Sequence, residues 1–277
     1  MSIDLTTKFQ PHTDEQFKAE SKKTLLTNDD YKWTGAHTIK VYKVSTAPMN
    51  DYDRSGEGEN WSRYGAVAGL DATTQELTLK KDRSFTFAID KLDTDETQQQ
   101  LAGASALARQ NREVTIPEVD AYTYGVMCEK AGTKPAAIAL TAENIYTEIL
   151  NASQTLDDAE VPEAGRVLVV TPASYALMKK CKDITMETNV GNELRLQGVI
   201  GLLDGMNVQK IPANRLPKGF GFMIAHPVAT VAPVKLEDYT IHENPPGISG
   251  ALVEGRIVYD AFVLDNKVKA IYYQAQS

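Results

Sequence analysis

The chain has 277 residues, 42% of them hydrophobic and 24% charged, with a formal net charge of −8. That length can bury a substantial core in one large domain or two intimate ones, and no apolar run approaches the ~18 residues that a membrane-crossing helix needs. The acidic balance argues against a protein whose affinity comes from neutralising phosphates with clustered Lys and Arg. Two cysteines, Cys128 and Cys181, offer neither a disulfide framework nor metal-ligand spacing, and read as small core hydrophobes.

Residues 1–34 read as an arm. The segment is polar, carries scattered anchors (Phe9, Phe17, Leu25, Leu26, Tyr31, Trp33) and cannot build a core of its own, which implies a partner surface. Its first residues, MSIDLTTKFQPHTDEQF, lack the basic patch and apolar stretch of a secretory signal, so synthesis is expected to end in the cytoplasm. From Gly35 the pattern turns to strand. Ile39 and Val41 fall on one face and Tyr42 and Val44 on the other, so a strand that is covered on both sides or lies on a neighbour is expected. A polar stretch from Met49 to Thr74, with Trp61 and Tyr64, then returns through QELTLKKDRSFTF. Irregular connections longer than ~12–15 residues are uncommon inside a compact domain, so residues 35–90 read as a projecting hairpin.

In Arg83–Asp90, Phe85, Phe87 and Ile89 alternate with the small residues Ser84, Thr86 and Ala88, the period of a half-buried strand. A helix capped by Asp93 or Thr94 should follow, with Leu101, Ala104 and Ala108 on one stripe. A second helix is expected to start at Thr115, where Thr115 and Glu118 have capping-box spacing and Pro117 lies in the first turn, and to stop at Gly132. Val119, Tyr122, Val126 and Met127 mark its buried face, and Gly125 implies close approach of another backbone. Beyond Pro135 come a helix from Thr141 to Leu156, a buried strand Val167–Val170 and a helix capped by Thr171 with Pro172 at its first position. Residues 183–215 break into short pieces at Gly198, Gly201 and Gly205 before a strand at VQKIP. The C-terminal strands end in an expected hairpin turning at Asp265–Asn266 and packing back on the long helix.

The run RSFTFAIDKLDTDET, the Ala-rich helix ending ALARQNRE, and IPEVDAYTYGVM resemble the centre of tailed-bacteriophage major capsid proteins. The resemblance extends over residues 35–277 and implies the Hong Kong 97-like α+β fold. That fold has an N-terminal arm (1–34), an extended β-hairpin loop (35–90), a peripheral domain with a long spine helix (91–135 and 240–277) and an axial α/β domain (136–239). It further implies a structural protein, not an enzyme, that self-assembles into pentamers and hexamers forming an icosahedral head around double-stranded DNA, without sequence-specific binding. The place would be the virion, assembled in the host cytoplasm, with a scaffolding protein supplied as a separate chain, a portal and a maturation protease as partners, and no cofactor, metal or membrane. Trp33, Trp61, Arg63, Tyr64 and Arg83 are the expected inter-subunit contacts, because aromatic and Arg side chains anchor interfaces. An encapsulin-type nanocompartment shell and an α/β enzyme with a lid loop at 49–74 are the competing readings.

Other chemistry is thinly represented. Asp51, Asp53, Ser55, Gly56 and Glu59 copy the first half of a calcium loop, but its twelfth place is Ser62 and flanking helices are missing. Gly56/Gly58 and Gly219/Gly221 lack a third glycine in register. His12, His37, His226 and His242 are dispersed. Cys181 sits among Lys179, Lys180 and Lys182, a usual surface arrangement; Asp93/Asp95 and Asp157/Asp158 are explained by capping and solvation. Lys80, Lys81 and Asn266 are of the types that cross-link some family members, but match no motif here, so non-covalent closure is expected.

Overall fold

The computed structural model describes residues 21–33, 37–56, 62–67, 69–96, 102–182, 184 and 201–277. Phe9, Phe17, His12, Gly58, Glu59, Trp61, Leu101 and Gly198 therefore lie outside the described residues, as does the side chain of Asp95. The chain divides into two compact units, Gly35–Thr78 and the remainder. Among the described residues no helix is long and apolar enough to cross a membrane.

The smaller unit is built on an antiparallel ribbon of β1 (Thr38–Val44) and β2 (Ala72–Thr78). Lys40 pairs with Glu76 across the register at 2.8 Å, and the Thr38 and Thr78 hydroxyls share a hydrogen bond. Of the two expectations for this strand, double cover within the chain is not met. Tyr42 is 73% exposed and Val44 is also exposed, because β1 belongs to a two-stranded sheet.

The larger unit begins with β3 (Lys81–Asp90), which departs from the hairpin expected over 35–90. β3 pairs with β10 (Gly250–Tyr259) in a sheet of order β3-β10-β9, where β9 is Val234–Glu243. The physical reason is its alternation: Phe85, Phe87 and Ile89 share a face with Val253, Gly255 and Ile257 of β10, which a two-stranded ribbon could not cover.

Helix α1 (Lys91–Glu96) starts immediately after, and Asp90 rather than Asp93 or Thr94 caps it, its Oδ1 accepting from the Leu92 N–H at 2.8 Å. Helix α2 (Gly103–Gln110) does not end before the spine helix α3 (Ile116–Lys130). Residues Asn111–Thr115 continue it as a π-helical turn, and Thr115 has helical dihedrals and makes no capping bond. The expected helix start at Thr115 is thus a helix interior. Pro117 explains the wide turn, since a proline ring clashes with the carbonyl four residues back, and the neighbouring Ile116 N–H reaches Asn111 O, five residues back.

Beyond α3, helix α4 (Ile145–Asp158) buries Ile145, Ile149, Ala152 and Leu156, the predicted stripe. Its start is fixed by Thr141 and Asn144, each side chain accepting from the other's backbone N–H. Strand β4 (Val167–Val170) is buried at all four positions, and α5 (Pro172–Lys180) is capped as expected by Thr171, whose Oγ1 accepts from Ser174 N–H. Then follow β5 (Leu202–Leu203), β6 (Met206–Lys210), β7 (Phe220–Ala225), β8 (Thr230–Val231), the β9–β10 pair, β11 (Phe262–Val263) and β12 (Ile271–Ala275).

The second sheet has the order β12-β7-β4-β6-β5, with β4 and β6 parallel and joined through α5, and the other pairs antiparallel. Val167, Val169, Met223 and Ala225 meet Tyr124, Met127 and Cys128 of α3 on one face; Leu168, Val170, Phe222 and Ile224 meet α4 and Met178 of α5 on the other. Both faces are covered, hence the unbroken VLVV. The expected C-terminal hairpin is absent. A 3₁₀ turn at Asp265–Ala270 carries the chain to β12, which closes this sheet beside β7.

The helix ends just before Gly132, as expected, but the close approach expected at Gly125 is found at Gly132 instead. A Cβ at Gly132 would lie 2.5 Å from the Val268 carbonyl oxygen, whereas one at Gly125 would meet nothing within 4 Å. The close backbone approach belongs to Gly132. Gly125→Ala should raise the stability of the unassembled protein by about 0.5–1 kcal/mol through helix propensity, and Gly132→Ala should lower it, both read by urea unfolding; equal effects would contradict this assignment.

Candidate functional site

The predicted contact residues separate into two groups. Trp33 is only 4% exposed and stacks on Phe262 with ring centroids 5.7 Å apart. It is thus an anchor buried within its own subunit. Its neighbours behave alike: Leu26 is fully buried, the Asn28 side chain donates to the Pro227 and Val228 carbonyls, and Ser21 Oγ donates to Asp120 Oδ1 at 2.6 Å. The partner surface expected for the arm is, over residues 21–33, the subunit's own. Arg83 is exposed but tied to the spine helix, its Nε donating to Glu118 Oε1 at 2.7 Å, an oxygen that also accepts from Tyr259 OH at 3.3 Å.

Arg63 and Tyr64 remain at the surface of the smaller unit. Tyr64 is 77% exposed and meets Tyr52 edge-on at 5.0 Å; Arg63 O accepts from Asp53 N–H. Met49, Val67 and Leu70 are exposed too, Met49 at 97%. With Tyr42 and Val44 they give this unit a concentration of uncovered large apolar side chains. Lone exposed hydrophobics are ordinary, but grouped ones mark contact surfaces.

Two buried polar clusters escaped the sequence reading. Asp260, 3% exposed, accepts from Lys80 N–H at 2.8 Å, Tyr122 OH at 2.7 Å and its neighbour Ala261 N–H at 2.8 Å. It joins the head of β3 to the spine helix. Burial first, and the Asp260 bond second, push the Tyr122 hydroxyl well above its ordinary range, while Lys81 Nζ lies 4.8 Å from the centre of the same ring. Trp33 and Lys80 flank the smaller unit in sequence, and both are fastened to the short run Asp260–Phe262.

The second cluster is the ion pair Arg215 Nη1–Asp120 Oδ2 at 2.8 Å, both side chains at most 4% exposed. Asp120 lies one turn from Tyr124 on the buried stripe of α3, a signal that a partner is required. The partner's identity, 95 residues along the chain, is not written in any local pattern.

The remaining motifs are occupied structurally. Asp53 Oδ1 accepts from Ser55 N–H, Ser55 Oγ and Gly56 N–H, an Asx turn in the segment that resembled a calcium loop. Among the described residues no group of three His, Cys, Asp or Glu side chains could hold a metal. His226 accepts from Val228 N–H, and His242 lies 3.3 Å from Glu254. Both cysteines are buried, and burial pushes the Cys128 thiol up to about 12, which keeps it protonated and inert. Asp157 is paired with the buried Arg166 at 2.7 Å.

No known family's sequence profile matches the chain, and no curated protein matches it. Solved structures do. The capsid structure of cyanophage P-SCSP1u superposes with a TM-score of 0.79 at 12% identity, over 99% of this chain and 93% of that one. A structure from Mycobacterium phage Che8 gives 0.74 at 19% identity, over 98% and 97%. This chain has the tailed-phage capsid fold. A virus-like particle from Pyrococcus furiosus shares it with a TM-score of 0.57 at 11% identity over 92% of each chain. The fold fits the observed elements: spine helix α3, the β3-β10-β9 sheet beside it, and the covered five-stranded sheet.

Replacing Asp260 by Asn puts an amide where two N–H groups and a hydroxyl now donate. Asp260→Asn should cost about 1–3 kcal/mol and speed amide exchange at Lys80; exchange unchanged there would show that the carboxylate does not fix the head of β3. Alkaline pH offers a second check. Burial, then Glu118, hold the Tyr259 hydroxyl at about 12 against an ordinary 10. The folded state therefore favours the protonated form, so stability should be intact below pH 10 and fall as pH rises towards 12. Tyr259→Phe should flatten that fall in thermal unfolding scans, and an unaltered slope would remove Tyr259 as its source.

Proposed function

We propose that this protein is the major capsid subunit of a tailed phage, a structural protein whose copies form the pentamers and hexamers of an icosahedral shell around double-stranded DNA. One observation carries the reading: end-to-end similarity of fold to phage capsid structures, over 99% of this chain and 93% of the cyanophage capsid chain. In this reading the Gly35–Thr78 unit is the extended loop, and its uncovered Tyr42, Met49, Tyr64 and Leu70 are buried by a neighbouring copy. Arg63, and Trp61 from the resemblance alone, belong to the same contact. Scaffold, portal and maturation protease are the partners this role calls for.

The net charge of −8 is compatible with a container that holds DNA without gripping it. A shell enclosing protein cargo is the second reading, and the virus-like particle is the observation in its favour, at the lower TM-score of 0.57.

Light scattering after size-exclusion chromatography, with negative-stain microscopy of the largest species, tests the proposal. Closed shells, or pentamers and hexamers that close when scaffold is supplied, are expected; a protein that stays monomeric under all conditions would end it. Tyr42→Ala/Tyr64→Ala should leave the protomer's unfolding midpoint unchanged and raise the concentration needed for assembly about tenfold or more. Assembly at the wild-type concentration would remove the loop from the contact.

A further inference from the structure

The middle of the arm is gripped at one closely bonded place. The Asn28 side chain donates to the Pro227 and Val228 carbonyls at 3.0 Å each, and its backbone N–H donates to the Thr230 carbonyl at 2.9 Å. Two residues earlier, Leu26 is buried in the same cluster as Ala229. All of these partners lie in or just after the 3₁₀ turn Pro227–Ala229, so the seat of the arm depends on the shape of that turn.

One side chain caps the turn. His226 precedes Pro227, which has no N–H to satisfy, and its Nδ1 accepts from Val228 N–H at 3.2 Å, as the oxygen of an N-cap residue would. A backbone N–H can only donate, so Nδ1 carries no proton. The ring proton is then on Nε2, which donates to the Ala164 carbonyl at 3.0 Å. Both ring nitrogens are engaged, and only the neutral imidazole in this tautomer makes both bonds. The imidazolium carries a hydrogen on each nitrogen, so its Nδ1–H would face the Val228 N–H, donor against donor.

We propose that His226 is a pH-sensitive catch for the arm: the neutral ring caps the turn that Asn28 grips, and the protonated ring gives up the cap and loosens residues 21–33 from their own subunit. The seated arm requires the neutral ring and so binds fewer protons than the loosened one, which means that seating weakens as pH falls. Histidine is the side chain whose charge ordinarily changes between about pH 5 and 8. The device belongs to the single subunit and operates whether or not copies assemble.

Charged groups stand on each segment packed against His226. Beside Ala164 are Glu163 and Arg166, the latter paired with Asp157. The turn Asp265–Ala270, whose last carbonyl accepts from His226 N–H at 3.0 Å, brings Asp265, Lys267 and Lys269. The arm adds Asp29 and Asp30, next to Asn28. Among the described residues none of them is ion-paired with the imidazole, so the bond to Val228 N–H decides which form of the ring fits.

Hydrogen–deuterium exchange of the full chain, read by mass spectrometry at about pH 7.5 and about pH 5.5 and divided by the intrinsic rate at each pH, tests the catch in a window above the ordinary carboxylate range and below that of lysine. Protection over residues 24–33 should fall about five- to tenfold at the lower pH relative to strand β4, the worth of about one hydrogen bond. His226→Asn keeps an acceptor that can cap the turn and has no proton to gain, so its arm should stay protected at both pH values. His226→Ala should show the low protection at both, with β4 unchanged. Wild-type protection that is the same at the two pH values would overturn the proposal. So would an acid-dependent loss that persists in His226→Asn, which would assign the response to another group.

Discussion

Three stretches of chain far apart in sequence end on one carboxylate that water barely reaches. Asp260 accepts from the backbone of Lys80, from Tyr122 on the spine helix and from its own neighbour Ala261, and two residues later Phe262 supports the ring of Trp33. A buried carboxylate is costly unless its oxygens are occupied; here at least three donors occupy them. The consequence is positional. Trp33 and Lys80, both in the larger unit, are thereby held by the same short segment, Asp260–Phe262.

The spine helix makes that arrangement possible because it faces two sheets at once. Val119 and Tyr122 lie with Ile257 and Tyr259 of the three-stranded sheet, while Tyr124, Met127 and Cys128 pack on the five-stranded one. A helix apolar around so much of its girth cannot show a clean amphipathic stripe, and it does not need one. Asp120 lies between the two sets and is neutralised by Arg215, so the one carboxylate among these buried α3 side chains is paired within the protomer. Breaking such a buried pair by removing one partner costs ~3–5 kcal/mol, because the other charge is left stranded.

What the sequence showed and what it hid follow from the range of the forces involved. The VLVV strand, the Thr171–Pro172 helix start and the Ile145–Leu156 stripe were legible because periodicity and capping are local. The helix start at Thr115 was misread for an equally local reason: Thr, Pro and Glu at those spacings signal a cap, and only the preceding turn, widened to π geometry, reveals that the helix was already running. Trp33 looked like an interface anchor because an aromatic in a polar arm has no visible partner; Phe262 is more than two hundred residues away. The close approach was assigned to Gly125 and belongs to Gly132 because it is a property of the neighbour, Val268, and not of the glycine. Of the candidate contact set, Arg63 and Tyr64 could be placed at the surface, whereas Asp260 and Asp120 could not be found, since a buried carboxylate has no signature until its donors are known.

The two units also differ in what could make them rigid. The larger unit has sheets of three and five strands and a helix between them; the smaller is built on a two-stranded ribbon whose Tyr42 and Val44 are uncovered. Two strands without a second layer are marginal in water, so the order of such a unit depends on what it lies against. If that surface belongs to another copy, as in the shell reading, the ribbon gains order as copies gather, and each subunit added makes the next easier to add. Cooperative assembly then needs no separate switch: it follows from placing the apolar side chains on the part of the chain least able to cover them.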